Sequence, residues 1–450
     1  MIFCLSFLIF ISVEAENLDE RVARLESTLA GFEQMLVTRY GLIRNCEVPP
    51  VLNGQARCPK KLLVGSKCSL LCNPGYIETP GKTSTSCQKD GLWTVEMQCE
   101  IPLLLVSGGS ADQGNITSDL MSLVPGTGCD RSLPDMPRAR KMHDLAYLPG
   151  NPGEILACNG MTDEMLASCD LFSLSSYTWS PHSYPNKANM MYDPGCDSKY
   201  PYLGCKDSPD RKKGRYASQT LRIGEKTLIV GGMIYDESGH FPSNSVRVLG
   251  SKIVGKLEPW EKHIRQLRNA RAFFCALNIN DGAILSIGGL GKNSNGNFIQ
   301  KSVEFETVGW NGIHNLRTFS KFTDMKLPRS GLGCSVLPSK NYSIIVAGGT
   351  KGFGQHALQD TEIFDWGMNE WKSTANMQTG RFGHAVVAVG DKVFAVGGDD
   401  RRPSNLLDTI EEYDIQSESW KTINKKLKIP RSNFGYTLVP HSIFKGCVIA

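Results

Sequence analysis

Six arginines, eight histidines and a tyrosine-rich segment are the residues of this 450-residue chain best equipped for chemistry. Arg140, Arg215, Arg271, Arg329, Arg381 and Arg431 each stand just ahead of an apolar run. A guanidinium is a rigid fork of donors that matches carboxylates and sulfates. Six of them round one opening would focus positive potential on an anionic ligand. The alternative for the same residues is pairing with neighbouring carboxylates or carbonyls, the commoner fate of partly buried arginines. His143, His182, His240, His263, His314, His356, His384 and His441 are scattered, without paired-histidine, His-x-Glu or CxxC spacing. No G-x-S-x-G or phosphate loop is present either. Neither a catalytic centre nor a cofactor or metal is therefore expected. The segment from Pro181 to Lys213 holds Tyr192, Tyr200 and Tyr202 with Tyr184, Met190 and Met191. Cys196 and Cys205 would staple its tip. Rigid aromatic loops lose little entropy on binding, so these tyrosines are ligand candidates, with a lid over the channel as the alternative.

What positions these residues is a repeat. Six apolar strands run into glycine at Gly109, Gly160, Gly232, Gly289, Gly349 and Gly398, 49 to 72 residues apart, with Asn159 replacing one glycine of the second pair. A period near 50 residues, with four short strands per unit, marks a β-propeller. The chain enters the first unit directly at Leu103 and ends on an inner-strand sequence, Ser432–Val439, that no glycine-pair strand follows. Placing that strand innermost in the first unit gives six blades and removes an open sheet edge. Strand alternation then puts each arginine, the loop after each glycine pair and the links between blades on one face. Phe172 with Trp179, Phe364 with Trp371 and Tyr413 with Trp420 recur at a spacing of seven, as wedge-filling rings between blades.

Residues 1–15 are apolar and end in small residues, reading as a secretory signal cleaved after Ala15. The run is too short for an integral membrane span. Fourteen cysteines then remain, an even number suited to an oxidising compartment. Asn115 and Asn341 begin glycosylation triplets. The terminal Cys447-Val-Ile-Ala450 fits a prenylation pattern that secretion would forbid. The net charge of +4 points to no nucleic-acid partner. Leu18, Val22, Leu25, Leu29, Phe32 and Leu36 alternate steps of four and three, a heptad seam within 16–44 for a homo-oligomer. Cys158 and Cys169 flank one turn and would bond, and Cys129 with Cys447 would lock the ring. Cys275 and Cys334 occupy matching inner-strand positions and are expected as buried thiols.

Between 45 and 100, Cys46, Cys72-Asn-Pro-Gly-Tyr76, Cys87, Gly91-Leu-Trp93 and Cys99 resemble the sushi, or complement control protein, family. The resemblance implies the pairs Cys46–Cys87 and Cys72–Cys99, with Cys58 and Cys68 as the extra pair of selectin-type modules. The glycine-pair strands resemble the kelch family over 101–450. That resemblance implies recognition of partners on the glycine-pair face, with arginines in contact with acidic groups. Some secreted kelch-like propellers are copper radical oxidases of the galactose-oxidase type, which need two histidines, two tyrosines and a cysteine on one metal. The combined expectation is an all-β chain: a short coiled-coil helix, a disulfide-rich sushi module and a six-bladed kelch-type propeller. It would be secreted and non-enzymatic, and would bind an extracellular protein or an acidic glycan. The copper oxidase is the alternative.

Overall fold

The glycine-ended strands each pair on both sides. The computed structural model describes residues 22–29, 31, 46–111, 118–123, 129–150, 153–166, 168–182, 214–223, 226–236, 239–249, 252–253, 256–257, 260–262, 266–279, 282–307, 319–338, 342–401 and 405–444. The signal segment, Tyr192, Tyr200, Tyr202, Cys196, Cys205, Asn115, Asn341 and Cys447 lie outside them. No described helix is long and apolar enough to cross a membrane.

The chain divides into two compact units. The first comprises 1–51, 55–70 and 82–97. So small a body buries little apolar surface and depends on cross-links. Cys46 bonds Cys87 and Cys58 bonds Cys68, as the sushi resemblance implied. Ser69, Cys68 and Lys67 pair with Ser84, Thr85 and Ser86. Trp93 is half-buried, bridges Cys87 and donates its Nε1–H to the Glu47 carbonyl at 3.0 Å.

The second unit comprises 52–54, 71–81 and 98–450, and Cys72 bonds Cys99 within it. Among its described residues are six four-stranded antiparallel sheets. From inner to outer strand, the second sheet runs Asp144–Leu148, Glu154–Cys158, Cys169–Ser173 and Thr178–His182. The inner strands of the third to sixth are Gln219–Ile223, Cys275–Ile279, Gly333–Val336 and Ala385–Val389. In the first sheet the final strand, Gly435–Pro440, is innermost and pairs with Pro102–Ser107. The core lies between sheets: Leu104 and Val106 of the first pack with Phe394 and Val396 of the sixth, while Leu105 packs with Leu145 and Ile155 of the second. Similar clusters fill the other junctions, so each sheet packs on two neighbours and the last on the first.

The spacing of seven places Phe172 opposite Trp179, Phe364 opposite Trp371 and Tyr413 opposite Trp420 across their hairpins. Each indole N–H reaches back to the preceding sheet: Trp179 to the Pro134 carbonyl, Trp371 to the Thr323 carbonyl and Trp420 to Thr361 Oγ1. Cys158 bonds Cys169, its direct cross-strand partner. Cys275 and Cys334 are disulfide-bonded, which corrects the expectation of free thiols. Their strands begin facing each other across one junction, with Cα atoms 6.0 Å apart, inside the normal bridging range. Cys129 is also disulfide-bonded.

The glycine pairs are required by a close approach. Gly348 has φ +66°, and a Cβ there would stand 2.5 Å from the Arg381 carbonyl oxygen of the next sheet. Gly354 also has positive φ, +71°, but a Cβ there would meet nothing within 4 Å. Gly348→Ala combines strain with a clash and is expected to lose about 2–3 kcal/mol, whereas Gly354→Ala loses about 1 kcal/mol of left-handed strain alone. Urea unfolding midpoints measure both; equal losses would refute the close-approach role.

Candidate functional site

Each arginine stands between the link from the previous sheet and its own inner strand, and there it is swallowed by the fold. All six are buried, at 0–5% exposure. Each Nη1 donates to the carbonyl of the first residue of its own sheet's glycine pair: Arg140 to Asn159 (2.9 Å), Arg215 to Gly231 (2.6 Å), Arg271 to Gly288 (2.7 Å), Arg329 to Gly348 (2.9 Å), Arg381 to Gly397 (2.7 Å) and Arg431 to Gly108 (3.2 Å). Five meet a carboxylate on the third strand of the same sheet: Arg140–Asp170, Arg271–Glu304 (2.8 Å), Arg329–Glu362 (3.0 Å), Arg381–Glu411 (2.9 Å) and Arg431–Asp119 (3.0 Å). Burial pulls the Arg140, Arg271, Arg381 and Arg431 pKa values down, and the carboxylates oppose that pull. The arginines expected as an accessible ligand-binding ring are instead enclosed, and most of their donors are used inside the sheets.

The residues after the arginines line the end of the ring; Tyr216, Ala272, Ser330 and Ser432 are buried there and Lys141 and Phe382 are half-buried. Backbone bridges tie them to the residues after the glycine pairs, as in Tyr216 with Met233, Ala272 with Leu290 and Phe382 with Asp399. One residue further, Met142, Ala217, Phe273, Gly331, Gly383 and Asn433 all have φ between +51° and +66°. They close a cycle of backbone hydrogen bonds of 2.7–3.0 Å, each N–H donating to the carbonyl of its counterpart in the previous sheet. Left-handed backbone in Met142, Ala217 and Phe273 costs energy that the surrounding structure must hold. Around this ring sits an aromatic cluster. Tyr216 lies 6.2 Å from Phe273, Phe273 lies 6.3 Å from Phe382, and the Arg401 guanidinium lies over Phe382 at 4.7 Å. Two hairpins, Met233–Asp236 with Gly239–Pro242 and Leu290–Asn293 with Gly296–Ile299, stand beside it and expose Tyr235 and Phe298. Lys292 lies over Phe241 at 6.0 Å.

Below the ring the inner strands enclose a channel of about 490 Å³. The segment Leu71–Gly81 of the same unit covers its other end: the Gly390 N–H donates to the Gly75 carbonyl at 2.8 Å, and Arg222 pairs with Glu78 at 2.8 Å. Burial drives the Tyr147 and Tyr436 hydroxyls in this channel up to about 12. Asp144 is raised by burial, against hydrogen bonds from Asn159 and Ser218 and the charge of Arg215. Among the described residues no three of His, Cys, Asp and Glu converge to hold a metal. His143 and His384 are fully packed, with neither ring nitrogen partnered.

Carboxylate partners were the alternative reading of the arginines, but neither the particular carboxylates nor the aromatic cluster was found from the sequence. The carboxylates carry a signal: an acidic residue stands two before the hairpin aromatic in Asp170-Leu-Phe172, Glu362-Ile-Phe364 and Glu411-Glu-Tyr413. They also accept link N–H groups, Glu411 from Gln378 and Thr379 and Glu362 from Lys326 and Leu327. The aromatic cluster has no sequence signal, because its members come from three sheets.

Removing one member of a buried ion pair strands the other charge and costs about 3–5 kcal/mol. Arg381→Met is therefore expected to lower stability by that amount in urea unfolding, with Arg381→Lys little better because an ammonium cannot reproduce the fork. A variant of wild-type stability that lost only ligand binding would reverse this assignment. Burial, then the charges of nearby arginines, pushes His143 and His384 from 6.5 down to about 3. The unfolded chain therefore binds more protons between these values, and the stabilisation present above pH 6.5 is lost as pH falls towards 3. Each histidine contributes a slope of about 1.4 kcal/mol per pH unit. His384→Gln is expected to flatten the acid limb of the stability–pH curve by about one such slope; parallel curves for the two proteins would count against it.

Residues 46–99 match the family of the Sushi repeat (SCR repeat), and residues 380–426 match the Kelch motif. Kelch-like protein 34 of Homo sapiens is 26% identical over 234 residues, 49% of this chain and 33% of that protein. Kelch-like protein 36 of Bos taurus is 22% identical over 196 residues, 42% of this chain and 28% of that protein. Kelch-like protein 7 of Mus musculus is 36% identical over 67 residues, 15% of this chain and 11% of that protein. The chain thus spans a third or less of the length of these relatives. The solved structure of YjhT shares the fold at a TM-score of 0.50 and 11% identity, covering 68% of this chain and 91% of that one. The chain therefore carries a sushi repeat and a kelch motif and has a β-propeller fold.

Proposed function

We propose that this is a secreted, non-enzymatic recognition protein, whose six-bladed propeller binds an extracellular protein through the face after the glycine pairs. The observation that carries the reading is the cluster of Tyr216, Phe273, Phe382 and Arg401 around the backbone ring. Aromatic residues and arginine are the side chains that most often dominate binding energy at protein interfaces, and here they sit on strained but fully hydrogen-bonded backbone. The kelch repeats support a protein-binding domain. The sushi repeat and five disulfides among the described residues are typical of extracellular proteins. Because the six arginines are enclosed, an acidic glycan held by an arginine ring has less support than a protein surface.

Expressed in animal cells, the chain is expected in the medium, starting at Glu16. Screened against an array of receptor ectodomains and against a glycan array, it should select a protein. Phe382→Ala and Arg401→Ala should each weaken that binding at least tenfold, about 1.4 kcal/mol or more, without lowering thermal stability to match. Retention of the chain inside the cell, or binding indifferent to both substitutions, would overturn the reading.

A further inference from the structure

The first unit carries an exposed apolar surface. Residues 22–29 are helical, and every one is exposed. Val22, Leu25 and Leu29 are 47%, 62% and 59% exposed along one stripe, and the sequence continues the stripe through Phe32 and Leu36. Three large aliphatic side chains in register on a lone helix are costly in water, and a helix of this length is marginal without a partner. A Cβ added at Gly31 would meet nothing within 4 Å among the described residues.

The charges beside the stripe choose the partner. With Val22 and Leu29 at the first core position of the heptad and Leu25 at the second, the residues after the second core position are Asp19, Glu26 and Glu33. Those before the first are Arg21, Thr28 and Met35. In a parallel coiled coil the residue before one core position faces, five residues on, the residue after the second core position of the other helix. Arg21 of each copy therefore meets Glu26 of the other. In an antiparallel pair the acidic column would face itself, and like charges opposed across the seam are destabilising.

We propose that the stripe is the seam of a parallel, in-register coiled coil between copies of this chain. Two or more propellers are then held by their N-terminal segments, and the effective concentration of each for a shared target rises without any new contact.

The test is sedimentation equilibrium of the full-length secreted chain over a range of concentrations. The wild type is expected at a whole multiple of the chain mass. Leu25→Asp should weaken association at least tenfold, and Gly31→Ala, which restores helix propensity at an uncontacted position, should tighten it several-fold. Orientation is read from Glu26→Arg. In the parallel arrangement it opposes two arginines and weakens association, and Arg21→Glu added to it restores the pair. In an antiparallel arrangement it breaks up the acidic column and tightens association. A wild-type monomer at tens of micromolar, or tightening by Glu26→Arg, overturns the proposal. Unchanged thermal unfolding of the sheets in every variant shows that the effect is on assembly alone.

Discussion

The buried arginine holds the second unit together, because it joins two contacts that face opposite ways round the ring. Its side chain grips the glycine-pair carbonyl of its own sheet. Its backbone carbonyl accepts the N–H of the second glycine from the sheet before, at 2.7–2.9 Å in all six cases, from Gly109 to Arg140 round to Gly398 to Arg431. A cation so placed has lost its water, and an unpaired buried charge would be intolerable. The third-strand carboxylate answers that need, and its spare lone pairs fix the link that delivers the same arginine. The requirement for glycine at the first position of the pair follows: a Cβ at Gly231, Gly288 or Gly348 would collide with that arginine carbonyl. One constraint thus sets the residue type at four places in each repeat.

The third sheet shows what happens when one member changes. Arg247 stands at the register position that holds a carboxylate in the other five sheets, opposite Ile229 as Glu362 is opposite Val346. Arg215 keeps its contacts with the Gly231 carbonyl and with Ser245 Oγ. The compensating acid comes from the preceding sheet. Asp144 accepts from Ser218 Oγ at 2.7 Å and from Asn159 Nδ2 at 2.9 Å, and the charge of Arg215 helps to hold it ionised against burial. Asn159 is the residue that replaces a glycine in the second repeat, and at φ +61° it adopts the left-handed backbone that asparagine tolerates better than most residues. Three departures from the repeat therefore belong to one rearranged junction. It lies where the longest link between sheets, 183–213, leaves the second sheet.

The repeat, the closing strand and the sushi cross-links were legible in the sequence because each is written in spacing. Glycine pairs near a period of 50, rings seven apart and the Cys72-Asn-Pro-Gly-Tyr76 run survive in one dimension. Burial does not. The arginines have the same spacing whether they face a ligand or a carboxylate, and only the third-strand acids, two residues before the aromatics, distinguish the cases. Phe273 and Phe382 are 109 positions apart in sequence and 6.3 Å apart between rings, a proximity that no local pattern encodes. The same holds for Cys275 and Cys334, whose pairing depends on two sheets meeting at one wedge.

The interlock also leaves room for variation beside it. Arginine, glycine pair and acid lie inside the sheets, and the residue directly after each arginine takes no part in their ion pair. Those six positions hold Lys141, Tyr216, Ala272, Ser330, Phe382 and Ser432, of which Tyr216, Ala272, Ser330 and Ser432 are buried and Lys141 and Phe382 half-buried. Backbone bridges to the residues after the glycine pairs fix where they stand but not what they are. Tyr216 and Ala272 pack in an apolar cluster with Met233 and Leu290, so a change there costs packing, whereas at the half-buried Lys141 and Phe382 a substitution changes what the ring presents at little cost to a backbone held from beneath by the buried ion pairs.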